Sequence, residues 1–206
     1  DGIGDLCRQH GCLLLLDTVT SLGGVPLYID EWKVDLAYSC SQKGLSCPPG
    51  LGPFTMGPRA EAKMKARQGK VPNWYLDVSL LNQYWGSDRV YHHTAPVNMN
   101  YGMREALRLL ADEGLDQAWA RHRRNAERLW SGLERQGLSM HVPEERRLPT
   151  LTTVRIPDGV DGKAFSQHLL NTHGIEVGGG LGSLAGKIWR IGLMGYNSTP
   201  ENVDRL

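Results

Sequence analysis

Two short apolar runs constrain the fold of this 206-residue chain most strongly. CLLLLD at residues 12–17 and VDLAYS at residues 34–39 are each continuous rather than alternating, and each ends in a polar residue. Runs of this kind are typical of strands that are buried on both faces of a parallel sheet. Gly23, Gly24 and Pro26 indicate loops in the connecting segment. The runs therefore predict two strands joined by a crossover.

Two further elements follow directly. PFTMG at residues 53–57 predicts a third strand, and PRAEAKMKARQ at residues 58–68 predicts a helix with proline in its first turn. This order of elements favours an α/β fold with a mostly parallel sheet. We assign it to a large domain that covers residues 1–113.

The second half has a different pattern. Apolar residues at three- and four-residue steps predict helices at 98–114 and 115–137, the second ending at Gly137. The apolar face of the second helix is formed by Trp119, Ala126, Leu129, Trp130 and Leu133. Its basic run RHRR at residues 121–124 favours a solvated face. Short strands at 138–142, 152–156, 175–177 and 187–194, with a helix at 161–173, then predict a smaller α+β domain over residues 114–206.

The two ends of the chain both resemble interrupted helices. DGIGDLCRQHGC is typical of the last turns of a helix, and TPENVDRL of the first turns, with Ser198 or Thr199 as the cap. We therefore expect an internal piece of a longer protein. It would be inactive or poorly folded alone, because the sheet would lack its first strands. The cytosol is the default location, and peroxisome and mitochondrion remain open because targeting signals lie at true termini.

Composition excludes several classes of function. The net charge of +1 argues against a general nucleic-acid or membrane-surface binder. The four cysteines (Cys7, Cys12, Cys40 and Cys47) form no C-x-x-C pair, so no zinc site is expected. Sparse cysteines favour a reduced, intracellular protein.

An acid and a lysine follow the first two predicted strands. Asp17 ends the first strand, and Lys43 lies just past the second. Ligands of open α/β sheets bind beyond the carboxyl ends of their strands, so both groups can reach one rim. A lysine and an acid at that rim suggest pyridoxal phosphate chemistry, in which the lysine forms a Schiff base and the acid keeps the pyridine nitrogen protonated. Spacing alone leaves open an ordinary Asp–Lys salt bridge, or two unrelated surface charges.

Four motifs occur in a characteristic order: DTVTSLGG, YSCSQKGLSCPPG, VYHHTAPV and IWRIGLMG. Together they resemble the fold-type I, class V family of pyridoxal-phosphate-dependent aminotransferases, and in particular its alanine–glyoxylate (serine–pyruvate) group. The resemblance covers essentially the whole chain. It implies ping-pong transfer of an amino group from alanine or serine to glyoxylate or pyruvate.

The resemblance also implies roles for residues around the cofactor. Lys43 matches the Schiff-base lysine, which also carries the proton between the substrate Cα and the cofactor C4′. Asp17 matches the partner of the pyridine nitrogen, and Val19 matches the residue that packs on the ring, although composition alone leaves ordinary core packing open for Val19. Gln42 would donate to the cofactor phosphate, and the adjacent Ser41 is included in the same group.

Further roles concern the substrate and a second subunit. Tyr91 and Thr94 match phosphate ligands donated by the neighbouring subunit, which implies a C2 homodimer with shared sites. Arg190, predicted at the end of its strand, matches the residue that holds the substrate carboxylate through paired hydrogen bonds. Glycines at 178–182 are interpreted as a flexible turn beside the substrate entrance.

No metal is expected. His92 and His93 would point to opposite faces of a strand, so a structural role is favoured for both.

Two alternatives remain open from the sequence. A different class V enzyme, a desulfurase or a lyase, would need a nucleophilic thiol, for which Cys40 and Cys47 are available. Gln42 opposes a desulfurase, since those relatives carry histidine before the lysine. The other alternative is a catalytically inactive fragment with a packing role only.

Overall fold

The computed structural model describes residues 2–206, which form two three-stranded sheets surrounded by helices. The helices, numbered in chain order, are α1 (Gly2–Gln9), α2 (Pro58–Lys65), α3 (Val78–Trp85), α4 (Val97–Glu113), α5 (Leu115–Arg135), α6 (Gly162–His168) and α7 (Pro200–Arg205). The strands are β1 (Leu15–Asp17), β2 (Leu36–Tyr38), β3 (Phe54–Met56), β4 (Leu151–Arg155), β5 (Gly178–Gly179) and β6 (Ile188–Gly192).

The first sheet is mixed, in the order β1-β2-β3. β1 and β2 are parallel, as predicted, with Asp17 opposite Tyr38, whereas β3 runs antiparallel to β2. The sheet therefore contains one antiparallel strand, because β3 returns directly after the loop that follows β2 without a crossover. β1 is also shorter than predicted, and within residues 2–206 it is the edge strand of this sheet, with Leu15 57% exposed.

A buried carboxylate joins the elements of this sheet. Asp35 is 3% exposed, and it accepts hydrogen bonds from the backbone of Leu14 at 2.9 Å and from the Arg59 guanidinium at 3.0 and 3.1 Å. Arg59 lies in α2, and it also donates to the carbonyl of Cys12. Since a buried charge needs a partner, this pair fixes α2 against the start of β1 and β2.

The second sheet is antiparallel, in the order β4-β6-β5. The strand predicted at 138–142 is reduced to one isolated bridge between Met140 and Val154, and the segment 175–177 forms no strand. The helix predicted at 161–173 ends at His168 and continues as a wide turn over Leu169–His173. At the chain end, Thr199 is the cap of α7, because its hydroxyl accepts from the Asn202 backbone.

Helix α5 packs its apolar face on the second sheet. Its buried apolar residues include Ala126, Leu129 and Trp130, which confirms those predictions, whereas Trp119 is only half-buried. The Trp130 indole donates to the Thr152 hydroxyl at 2.8 Å, so the large side chain also satisfies its polar atom. Leu129 forms a small core with Leu193 and Val203.

The helix ends agree with the sequence signals. Gly137 has φ +80°, and it follows α5 as predicted. None of the helices within residues 2–206 combines the length and apolar character that crossing a bilayer requires. The proposed domain boundary near residue 114 stays a prediction; α4 and α5 meet there at Gly114, which has φ +84°.

Candidate functional site

The carboxyl ends of β1 and β2 carry the predicted acid. Asp17 is exposed, and its two carboxylate oxygens accept from the Tyr38 hydroxyl at 2.7 Å and from the Val19 backbone at 2.8 Å. The Tyr38 hydrogen bond, and next the Val19 amide, hold the pKa of Asp17 below its ordinary value. Asp17 is therefore ionised at neutral pH and held in a fixed orientation.

Lys43 lies in a turn just past the end of β2. The Ser46 backbone donates to the Lys43 carbonyl at 2.9 Å, and Ser46 adopts φ +56°, which closes the turn tightly. The Lys43 side chain is half-buried. Among the described residues no acid forms a salt bridge with it. The alternative of an Asp17–Lys43 salt bridge is therefore not what the structure contains.

A cavity of about 540 Å³ opens beside this turn. Gln42 and Lys43 line one side, and Met194, Tyr196 and Asn197 from the loop after β6 line the other. The cavity is thus formed between loops that follow the two different sheets. Gln42 is exposed at the border of this cavity, and its predicted hydrogen bond to the cofactor phosphate stays a prediction.

Ser41 is placed differently from the prediction. Its side chain is fully buried; the hydroxyl donates to the Pro48 carbonyl at 2.7 Å and accepts from the Leu51 backbone at 3.3 Å. A hydroxyl with both functions used inside the loop is not available to a cofactor. Ser41 instead maintains the shape of the segment that presents Lys43.

Arg190 lies in the middle of β6 and not at the strand end, as the sequence had suggested. Its Nε donates to the Gly179 carbonyl at 2.6 Å, and Gly178 pairs with it in the sheet. The glycines at 178–179 are therefore strand β5 and not a flexible turn. A Cβ on Gly178 would lie 3.4 Å from Arg190 Nη2, so glycine leaves room for the guanidinium beside the strand.

The predicted subunit-bridging pair is found together on the surface. Tyr91 is 71% exposed, and its hydroxyl lies 3.1 Å from that of Thr94. Neither residue lines the cavity beside Lys43.

His92 and His93 are not on a strand, and their Nδ1 atoms lie 2.9 Å apart, so the predicted opposite orientation is wrong. The His92 ring stacks on the Trp74 ring, and His92 Nε2 is hydrogen-bonded to the Trp74 carbonyl oxygen at 3.0 Å. Within residues 2–206 no group of three or more side chains is arranged to hold a metal ion.

The basic run at 121–124 contains residues that the sequence reasoning missed. His122 is fully buried, and Arg121 is bound to Glu113 at 2.5 and 2.8 Å, while only Arg123 and Arg124 are solvated. Both Arg121 and His122 contact the loop after β6. The helical period could have predicted the burial of His122, because residues 118, 122 and 126 lie four positions apart on the same face of α5.

We define residues 194–198 as the Gly195 loop, and glycine at its second position is required by close packing. Gly195 has φ +57°, and a Cβ would lie 1.9 Å from Ser46 Oγ and 2.9 Å from the Gly44 carbonyl oxygen.

Gly195→Ala is expected to lower the free energy of unfolding by at least about 1–3 kcal/mol from backbone strain alone. Urea unfolding of the complete protein measures this loss. Gly132→Ala, where nothing lies within 4 Å of the added carbon, is the matched control and should not destabilise. Equal stability of both variants would contradict the packing argument.

Comparison with known proteins identifies the family. Residues 1–206 match the family model described as Aminotransferase class-V. The chain therefore belongs to the class V aminotransferase family, and the predicted fold-type I architecture is confirmed by solved structures of aminotransferases.

Three relatives illustrate the similarity. Alanine–glyoxylate aminotransferase of Oryctolagus cuniculus is 45% identical over 210 residues, a match that covers 100% of this chain and 54% of that protein. The crystal structure of alanine–glyoxylate aminotransferase from Nostoc sp. is 66% identical with a TM-score of 0.98, covering 100% of this chain and 55% of that one. (S)-Ureidoglycine–glyoxylate transaminase of Bacillus subtilis is 37% identical over 219 residues, covering 98% and 53%. The chain thus spans about half the length of the relatives it matches.

Proposed function

We propose that the complete protein is a pyridoxal-phosphate-dependent aminotransferase that transfers an amino group from alanine or serine to glyoxylate or pyruvate. The single observation that carries the proposal is the cavity beside Lys43, with the ionised Asp17 on the neighbouring parallel strand. The names of the similar proteins, which are glyoxylate aminotransferases, support this choice of acceptor.

The residues present fit this cofactor. Lys43 borders a concave site and has no acidic partner among residues 2–206, so its amine is available for a covalent bond. The Asp17 carboxylate is exposed and held by two donors, so it can accept a third hydrogen bond from a protonated ring nitrogen. When bound, pyridoxal phosphate supplies an aldehyde for attachment and a ring that accepts electrons from the substrate.

The chain's own residues then have distinct tasks. Lys43 would hold the cofactor through its aldehyde, and its amine would take the proton from the substrate Cα as a general base. The negative charge of Asp17 would keep the ring nitrogen protonated. Arg190 binds the substrate carboxylate, because its planar guanidinium presents paired donors. Gln42 donates to the phosphate, and Val19 packs beside the ring.

A ping-pong sequence and a dimer belong to the same proposal. The first amino acid would leave as a keto acid, its amino group would stay with the cofactor, and the second keto acid would then take up that amino group. The same side chains would therefore serve both halves. Tyr91 and Thr94 are exposed, close to one another and outside the cavity beside Lys43. This supports a role for their hydroxyls at the phosphate of a second subunit in a symmetric dimer.

A desulfurase function is less well supported. Cys47 is 4% exposed, and its sulfur packs near Gly102 of α4, while Cys40 is half-buried. Cys47 borders the cavity beside Lys43, but it is almost fully buried, and a nucleophilic thiol needs access to its substrate.

Borohydride trapping tests the proposal. The complete protein is incubated with pyridoxal phosphate, reduced and digested, and the labelled peptide is identified by mass. We expect label on Lys43 and none on exposed lysines such as Lys70 and Lys187. Amino donors are then screened with glyoxylate and pyruvate as acceptors. Label spread over surface lysines, with no keto acid formed from alanine or serine, would reject the function.

A further inference from the structure

Two consecutive amides of the Gly195 loop are bound from opposite sides. The Gly195 N–H donates to His122 Nε2 at 2.8 Å, and the Tyr196 N–H donates to Ser46 Oγ at 2.7 Å. His122 belongs to α5, beside the second sheet, whereas Ser46 belongs to the turn that carries Lys43. The loop is therefore held between the helix and the lysine turn.

His122 acts as a neutral acceptor in this arrangement. Its Nδ1 donates to the Ala118 carbonyl at 2.7 Å, which leaves Nε2 without a proton to accept from Gly195. Burial is the main cause that lowers the pKa of His122, with a smaller contribution from Arg121 that Glu113 opposes. The imidazole is thus neutral at physiological pH, as the Gly195 hydrogen bond requires.

Helix α5 also holds two carbonyl groups of the loop. Arg121 Nη1 donates to the carbonyls of Gly195 and Ser198 at 2.9 and 2.8 Å, and Asn125 Nδ2 donates to the Ser198 carbonyl at 2.8 Å. Helix α5 therefore fixes the position of the Gly195 loop, and within residues 2–206 the Ser46 hydroxyl forms the one side-chain hydrogen bond between that loop and the Lys43 turn. Ser46 is suited to this, because its own N–H already binds the Lys43 carbonyl.

We propose that His122 and Ser46 are positioning residues that act through the Gly195 loop to fix the strand bearing Arg190 relative to the turn bearing Lys43. The inference rests on the proposed function. Arg190 lies in β6, and the Gly195 loop begins two residues after that strand ends at Gly192. A substrate held by its carboxylate at Arg190 must present its Cα to the Lys43 amine. Small displacements between binding and reacting groups reduce rates strongly, so this connection would govern how a bound amino acid reaches the lysine.

The first test compares two substitutions of His122 in the complete protein with its cofactor. His122→Leu removes the acceptor, and we expect KM for the amino donor to rise by about 10-fold or more. His122→Gln supplies an amide oxygen at a similar distance from the backbone, so it should restore most of the wild-type KM. Borohydride labelling of Lys43 should persist in both variants. His168→Leu, on an exposed residue of α6, is the control for the loss of a histidine.

The second test asks whether the two acceptors act as one unit. Ser46→Gly keeps the positive φ accessible and removes only the hydroxyl, so it should raise KM as His122→Leu does. If both act through the same loop, the double variant should be less impaired than the product of the two single effects. Ser139→Gly, in an exposed loop, is the matched control.

The outcomes separate this inference from the proposed function. A folded His122→Leu protein with an unchanged KM and only a lower Tm would overturn the positioning role, as would independent, multiplicative effects in the double variant. Should His122→Leu fail to fold, Ser46→Gly decides alone: a raised KM supports the inference, and an unchanged KM overturns it. Failure of the proposed function differs, because the wild-type protein itself would then show neither Lys43 label nor amino transfer.

Discussion

Lys43→Ala is expected to lower the rate of amino transfer by at least about 10²- to 10⁴-fold, the range attributed to a positioned general base. It should also abolish the borohydride-stable label, because no other amine lies at this place in the turn. The structure motivates the size of the effect, since Lys43 borders the cavity and has no acidic partner within residues 2–206. Single-turnover kinetics with alanine and pyruvate measure the loss.

Lys70→Ala is the matched control. Lys70 is exposed in the loop after α2, so its removal should change neither the label nor the rate. Lys43→Arg keeps the positive charge but should be as inactive as Lys43→Ala, because a guanidinium does not deprotonate to act as a nucleophile or base. Substantial turnover in either Lys43 variant would show that the lysine does not carry the proton.

Asp17→Asn is expected to reduce the rate by about 10²- to 10³-fold, the range observed when a fixed electrostatic partner of a developing charge is removed. The substitution keeps the size of the side chain but removes the charge that would hold a proton on the ring nitrogen. Asparagine can still accept from Tyr38 or Val19, so the fold at the strand end should persist. Rates of the half-reaction with alanine, together with pyridoxal phosphate affinity, measure the effect.

Tyr38→Phe distinguishes charge from geometry at the same place. It removes the 2.7 Å hydrogen bond and leaves the carboxylate ionised, so the loss should be much smaller than for Asp17→Asn. The pKa of Asp17 should rise towards its ordinary value, because this hydrogen bond is the largest cause that lowers it. Activity would then fall at a higher pH on the acid side than in the wild type. Equal losses in the two variants would favour orientation over charge as the role of Asp17.

The sequence predicted the parts of the site that depend on strand ends. Asp17 and Lys43 follow continuous apolar runs, and two parallel strands bring their carboxyl ends to one rim. The helices α4 and α5 were also predictable, because their apolar periodicity is long. The roles of the side chains came from the resemblance to the class V family, and they stay predictions.

Other features depend on contacts between distant segments. Arg190 was placed at a strand end, but pairing with β4 extends β6 to Gly192. The sequence suggested that Ser41 binds the cofactor, whereas in the structure its hydroxyl donates to the Pro48 carbonyl within the same loop. The antiparallel direction of β3 followed from its path after the lysine turn, which local propensity does not specify.

The hydrogen bond between Ser46 and Tyr196 spans 150 residues of chain, and the one between Thr20 and Thr150 spans 130. During synthesis at about 5–20 residues per second, the Lys43 turn would therefore leave the ribosome about 8–30 s before the amide that binds its serine. Local helices would form in that interval, whereas the cavity beside Lys43 would close only after residue 196 had been made. The lysine would thus acquire its surroundings after the strands of the second sheet, and cofactor capture would follow synthesis of the Gly195 loop.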